Sequence, residues 1–235
     1  MQLQDSLGDG FKLNDIKMQG FAVTPDGSSV LNNKVIGIDA KTPVLEQEHE
    51  VNNQRSNWLL KVVEDSIHIN CLNYANWDDT INYVCELFQK IFEVVPTTIK
   101  LKIIGVNFQV NDSFVLKEEV AEVDYTKLFN KSKYLTENIW ESGSLWHLNS
   151  GWFSGNTTYG NELNVLNIST RTNVSENINL VVLIEHLQQY TLIGEIPDIS
   201  RSDLIKSVFA SQHANNKALV SELLSQEVKD KIGLT

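Results

Sequence analysis

Cysteine, proline and long apolar runs are all scarce in this chain. Its 235 residues include two cysteines, Cys71 and Cys85, too few for a disulfide scaffold, so both are expected as reduced thiols acting as small core hydrophobes. No stretch has the roughly 20 consecutive apolar residues that a membrane-spanning helix requires. The opening residues, MQLQDSLGDG, carry neither the positive charge nor the apolar segment of a secretory signal, which points to the cytosol. Basic residues are also in the minority. With 19 Lys and Arg against 30 Asp and Glu the formal charge is -11, so the chain as a whole repels polyphosphate, and direct nucleic-acid binding is not expected. The acids are scattered along the sequence rather than massed, which argues equally against a protein that imitates DNA.

The familiar sequence signatures of chemistry are missing as well. There is no C-x-x-C or H-E-x-x-H pair for zinc, and His68 and Cys71, three apart on an expected strand, direct their side chains to opposite faces. GWFSG places Ser154 three residues after Gly151 and so misses the G-x-S-x-G elbow. GNTTYGN lacks the lysine of a phosphate-binding loop, and no G-x-G-x-x-G occurs. Neither metal nor nucleotide cofactor is expected.

What is present is a pattern of strands and two long helices with 42% hydrophobic residues, enough for a real core. DIKMQGFAV and NKVIGIDA read as strands, and a change of parity in the first predicts a bulge at Gly20. WLLKVVEDSIHINCLNY reads as a hairpin turning near Glu64 to Ser66, with Ile67, Ile69 and Cys71 facing Leu60 and Val62. In the following helix, 77–95, Trp77, Ile81, Val84, Cys85, Phe88, Ile91, Phe92 and Val95 recur at spacings of three and four, and Pro96 ends it. TIKLKIIGVNFQV is a further strand, with a second parity change at Gly105. Residues 111–143 are polar and mixed, with a short helix near YTKLFNKS. They form the expected sub-boundary of a single domain, 1–235.

Strands resume at SLWHLNS, NELNVLNIST and INLVVLIEHLQQY. The last is apolar on both faces from Leu180 to Ile184 and therefore belongs inside a sheet. The closing helix, 201–224, runs through Leu204, Val208, Phe209, Leu219, Leu223 and Leu224, with Ser200 and Asp203 at its capped start. Its polar middle, SQHANNK, reads as a solvated turn or a weak point. The fold class is α+β, an antiparallel sheet packed by two main helices, in which two similar halves are compatible with the order of elements although no residue-level repeat is visible.

Two clusters invite a functional reading. Asp78 and Asp79 follow Asn76 and Trp77, where exposed amides and the helix dipole favour negative charge, so capping accounts for them without catalysis. The second is ESGSLWHLNSGWFSGNTTYGNEL, in which Trp146, His147, Trp152, Phe153 and Tyr159 are interleaved with Gly, Ser and Asn. These five residues are the candidate binding surface, because rigid rings on permissive backbone supply contact area at small entropic cost. The competing reading is a hairpin whose aromatics turn into the core.

The segments 58–110, with Tyr74-x-x-Trp77 ahead of the helix and Gly105 in the next strand, and 204–233, with His213 at the centre of the last helix, resemble a sporadically distributed bacterial and archaeal family of uncharacterised proteins. That family's strand tends to read Gly-Leu-Arg-Tyr-Ile-Asn. Here Gly105 is followed by Val106, Asn107, Phe108, Gln109 and Val110, so the arginine is lost. On the late apolar strand, where the family often carries acids, Glu185 and His186 stand. The resemblance implies an accessory role such as defence or toxin neutralisation.

The expectation drawn from these features is a non-enzymatic cytosolic protein that binds another protein, with an acidic surface suited to a basic partner. One alternative is a small-molecule binder or hydrolase using His147, Glu185, His186 and His213 in a cleft between sheet and last helix. Another is a phage or assembly component that forms a homo-oligomer.

Overall fold

The computed structural model describes residues 7, 11–23, 29–41, 57–63, 66–94, 103–116, 123–157, 160–173, 179–192 and 201–234. The chain divides into two compact units, Met1–Lys100 and Leu101–Thr235, and the segment 111–143 lies within the second. The α+β class holds in both.

In the first unit, β1 (Lys12–Val23), β2 (Ser29–Lys41), β3 (Trp58–Val63) and β4 (Ser66–Cys71) form an antiparallel sheet in chain order. The expected hairpin register is present, with Leu60 opposite Ile69 and Val62 opposite Ile67. The register of β1 against β2 shifts between Ile16 and Lys17, where Ile36 is passed over, rather than at Gly20. The extra residue sits in the facing strand, which parity within one strand cannot locate.

Helix α1 (Trp77–Val94) buries Ile81, Leu87 and Ile91. Leu87 and Ile91 join Leu7, Phe11 and Leu60 in one apolar cluster, flanked by Trp58, Val62, Ile67, Ile69 and Tyr83. Each fully buried aliphatic side chain there stabilises the unit by about 1.5–3 kcal/mol. The buried stripe is rotated toward Tyr83 and Leu87 relative to the one the spacing suggests, leaving Trp77, Val84, Cys85, Phe88 and Phe92 half-buried. The ring of Trp58 in β3, 4.7 Å from that of Tyr83, turns this side of the helix toward the sheet. Cys71 and Cys85 are half-buried and form no disulfide.

In the second unit, β5 (Gly105–Leu116), β6 (His147–Thr157), β7 (Gly160–Asn173) and β8 (Asn179–Leu192) form an antiparallel sheet in the order β5-β8-β7-β6. The strand around Gly105 begins at that glycine and continues to Leu116, so it takes in residues the sequence assigned to a mixed segment; residues 98–102 of the expected strand lie outside the described ones. β8 is interior, as its two-sided apolar run requires. Each unit has consecutive antiparallel strands followed by a helix, but the strand orders differ. At Gly160, where β7 begins, a Cβ would run into the carbonyl oxygen of Thr191 on β8, so the close approach of the two strands requires glycine.

Helix α2 (Arg201–Leu223) is continuous through SQHANNK, where a solvated turn was an open reading. Gln212 and Asn216 are buried inside that stretch. Ser200 lies outside the described residues. The short α3 (Gln226–Ile232) follows, capped by Ser225, whose hydroxyl accepts from the Val228 N–H at 3.4 Å, and closed by Gly233 in the left-handed conformation that favours glycine.

The core of this unit gathers Leu148, Leu166, Ile168, Leu180, Val182 and Ile184 from the sheet, Leu219, Val220, Leu223 and Leu224 from the helical end, and Tyr125, Leu128, Phe129, Leu135 and Ile139 from the β5–β6 connection. That connection carries two 3-10 turns, Tyr125–Lys127 and Glu137–Glu141. It is fastened to the end of α2 by Asn130 Nδ2 donating to the Leu224 carbonyl at 2.6 Å and by the Ser225 hydroxyl donating to the Lys127 carbonyl at 2.6 Å.

Candidate functional site

The aromatic segment divides between core and surface according to strand parity. Trp146, just before β6, is half-buried against Tyr125 and Phe129, with ring centroids at 5.4 and 6.2 Å. Its backbone is held by Thr170, whose hydroxyl accepts the Trp146 N–H at 2.8 Å. Trp152 packs on Tyr134 at 5.2 Å and lies nearly parallel to the ring of His186 at 6.1 Å. These two tryptophans follow the core reading. Phe153, the next residue on β6, points to the other face and is 73% exposed. His147 and Leu145 are exposed as well. Tyr159 lies outside the described residues.

Phe153 and Leu145 belong to a wider feature. Residues 142–161 hold no Asp, Glu, Lys or Arg across twenty consecutive positions, in a chain that is 21% charged. Most of this run is β6, an edge strand of its sheet among the described residues. Edge strands with unpaired backbone groups are ordinarily guarded by charge or proline, and here neither is present.

The sheet face on which α2 packs carries a buried polar seam. Parity places Glu162 and Asn164 of β7 in phase with buried Leu166 and Ile168, and His186 and Gln188 of β8 in phase with buried Leu180, Val182 and Ile184. His186 Nδ1 lies 2.9 Å from Asn216 Oδ1, and Nε2 lies 3.1 Å from Asn164 Oδ1. Asn164 Nδ2 donates to the Ser154 hydroxyl at 2.6 Å, and Asn215 Nδ2 donates to Glu162 Oε2 at 3.3 Å. Gln188 Nε2 donates to the backbone carbonyl of Gln212 at 2.7 Å, and Gln212 Nε2 returns a bond to that of Gln188 at 3.2 Å.

Burial holds the His186 imidazole below its ordinary pKa, against a smaller opposing effect from the Asn216 hydrogen bond. A neutral ring has one N–H, so one of its two asparagine contacts requires the amide nitrogen to face the ring. Burial pushes the Glu162 carboxyl above the usual range, while hydrogen bonds from Gln212, Ser154 and Asn215 pull it part of the way back. Burial raises the Asp112 carboxyl too.

Of the four polar residues considered for a cleft, Glu185 and His147 are joined through Asn167. Glu185 and His186 point to opposite faces of β8, as adjacent strand residues must. Glu185 Oε2 accepts from Asn167 Nδ2 at 2.6 Å, and Asn167 Oδ1 lies 2.6 Å from His147 Nε2, so Glu185 and His147 share the face opposite to α2 with an asparagine between them. His186 lies on the α2 side, and His213 is half-buried on α2 itself. Both nitrogens of His186 face amide groups, an arrangement that activates no nucleophile. His68 is exposed and bonded to Ser66 Oγ at 3.1 Å, while Cys71 faces the other way. Among the described residues no group of three His, Cys, Asp or Glu is placed to hold a metal ion, and no helix is long and apolar enough to cross a membrane.

The aspartates beside Trp77 form a helix start. Asn76 Oδ1 accepts the Asp79 N–H at 2.9 Å and its amide nitrogen donates back to Asp79 Oδ2 at 2.7 Å. Both acids are exposed in the first turn of α1.

Sequence reasoning missed the polar seam. The signal was Glu162 and Asn164 in phase with the apolar positions of NELNVLNIST, together with a polar helix middle that had to be buried if the helix was unbroken. It also passed over the uncharged run, which a count of charges along the chain reveals. No protein-family model matches the chain, and no match was found among curated proteins or solved structures.

Proposed function

We propose that this is a non-enzymatic protein whose work is to bind another protein, through the exposed side chains of β6 and the residues just before it. The observation that carries this reading is the uncharged twenty-residue run centred on an edge strand with Phe153 exposed. Exposed aromatic rings with neutral surroundings are typical anchors of protein interfaces. Phe153, His147 and Leu145 supply the contact; Trp146 and Trp152 hold the strand in place from beneath. The net charge of -11 attracts a basic partner over distance and leaves the uncharged patch to make the close contact. The toxin-neutralising or defence role implied by the family resemblance is one form of this function, and the cytosol is the compartment it requires.

The polar seam supports the same reading from the other side. Its histidine faces two asparagines, and its glutamines fasten α2 to the sheet, so it acts as structural fastening. The test is affinity capture from the native host with the intact chain and with Phe153→Asp. Selective capture by the first and its loss in the second is the expected result. Equal capture by both, or specific turnover of a substrate by the isolated chain, contradicts it.

A further inference from the structure

We propose that β6 pairs edge to edge with β6 of a second copy of this chain, antiparallel across a two-fold axis at Gly151, giving one continuous sheet that sets two Phe153 rings on a shared binding face. This inference rests on the protein-binding reading above and adds a dimer to it.

Among the described residues β6 stands at the end of the strand order, with β7 on one side and no strand on the other. Its backbone is regular from His147 to Ser154, where the register against β7 shifts. A row of unpaired N–H and C=O groups along such a strand is a template for another strand. The identity of the occupant follows from charge. Two copies each carrying -11 oppose carboxylates over most of their surfaces, and a directly opposed like pair on neighbouring strands is destabilising. Along 142–161 no such pair can arise. The opposite edge strand, β5, carries Asp112 and lacks this property.

Register is restricted by the faces. Ser150 and Trp152 stand on the α2 side, whereas Asn149, Gly151 and Phe153 stand on the other. A symmetric pairing that keeps both sheets' faces continuous must place odd residues opposite odd ones. Centring it on Gly151 sets two glycines together at the axis, where no side chains collide. It places Phe153 opposite Asn149 of the second copy and diagonal to that copy's Gly151, a position where an aromatic ring covers the glycine backbone. A closed two-fold contact of this kind uses the same surface on both chains and cannot extend into a fibre.

Gly151 also provides the test. It has no positive φ, and a Cβ built there meets the Asn164 carbonyl at an ordinary 3.5 Å, so substitutions are sterically tolerated within one chain. Gly151→Lys sets two like charges face to face at the axis. Sedimentation of the full chain at micromolar concentration is expected to give twice the monomer mass, and Gly151→Lys the monomer mass with an unchanged circular-dichroism spectrum. Gly151→Cys is expected to form an intermolecular disulfide at position 151 under oxidising conditions, located by mass spectrometry of the cross-linked peptide. A monomeric wild type, or a Gly151→Lys variant that still dimerises, overturns the pairing. If the chain is monomeric but Phe153→Asp abolishes partner capture, the pairing fails and the protein-binding reading stands. If the dimer behaves as stated but Phe153→Asp captures as the wild type does, the reverse holds.

Discussion

Gln188 on β8 and Gln212 on α2 exchange hydrogen bonds reciprocally, each side-chain amide donating to the other's backbone carbonyl, at 2.7 and 3.2 Å. Both residues are fully buried, and the Oε1 atom of each has no partner among the described residues. A buried donor-to-carbonyl bond contributes about 0.5–1.5 kcal/mol, and leaving one partner unsatisfied costs about 1–3 kcal/mol. Gln188→Ala, which removes the donor and leaves a void, is expected to lower stability by about 2–4 kcal/mol. Gln188→Met fills most of the volume and removes the orphaned oxygen together with the donor, so its expected loss is smaller. Urea denaturation measures both, and a Gln188→Met variant as stable as the wild type would disprove the reciprocal clamp as a stabilising contact.

The seam makes stability depend on pH in two opposing ways. An unfolded histidine titrates near 6.5, and burial holds His186 below it. Its contribution is fully present above pH 6.5 and is lost as pH falls through the folded value, because the unfolded chain binds a proton that the folded one resists. Glu162 is raised above 4.5, so its contribution is fully present below pH 4.5 and is lost as pH rises through the folded value. The stability advantage of the wild type over His186→Gln should therefore shrink as pH falls below 6.5. Glu162→Gln should gain stability on the wild type at pH 7 relative to pH 4. Denaturation midpoints across pH 4 to 8 decide it, and parallel curves for all three proteins would contradict the assignment.

Asn76 closes the start of α1 through two short bonds with Asp79. Asn76→Ala is expected to cost about 1 kcal/mol, within the usual range for loss of an N-cap side chain. Asp78→Asn removes one favourable charge from an exposed first turn and should cost about 0.5 kcal/mol, less at high salt. A larger effect for Asp78 than for Asn76 would mean that the acid does more than offset the helix dipole.

Phe153 gives the converse prediction. Because its ring is exposed, Phe153→Ala should change stability by no more than about 0.5 kcal/mol. Trp152→Ala, which removes a ring lying against Tyr134 and His186, should cost about 3–5 kcal/mol. Thermal or urea unfolding of the two variants separates the roles of adjacent residues. Comparable losses would place Phe153 in the core.

Strand alternation and helical spacing made most of the fold legible. The hairpin of Leu60 with Ile69, the interior place of the Leu180 to Ile184 strand and the cap at Asn76 all follow from local rules, and the structure has them. What was not legible depends on the partner element. The bulge lies at Ile36 of β2, opposite Ile16 and Lys17, and an extra residue in a facing strand leaves no mark on its neighbour's sequence. Leu87 rather than Phe88 is most deeply buried because Trp58 of β3 meets Tyr83 and turns the helix that way. SQHANNK looked solvated because its glutamine and asparagine are polar, yet the facing β7 and β8 residues Glu162, Asn164, His186 and Gln188 are polar too. In the candidate site, parity separates Trp152 from Phe153 once the strand is fixed, but composition alone allowed both to be buried.

The central claim is that a protein partner meets β6 at Phe153. A photo-crosslinking phenylalanine analogue placed at position 153, compared with the same analogue at the exposed Tyr74 in the first unit, measures this directly in native host cells. The account predicts discrete cross-linked species at position 153 that do not form at position 74. No cross-link at 153, or the same pattern at both positions, would contradict it.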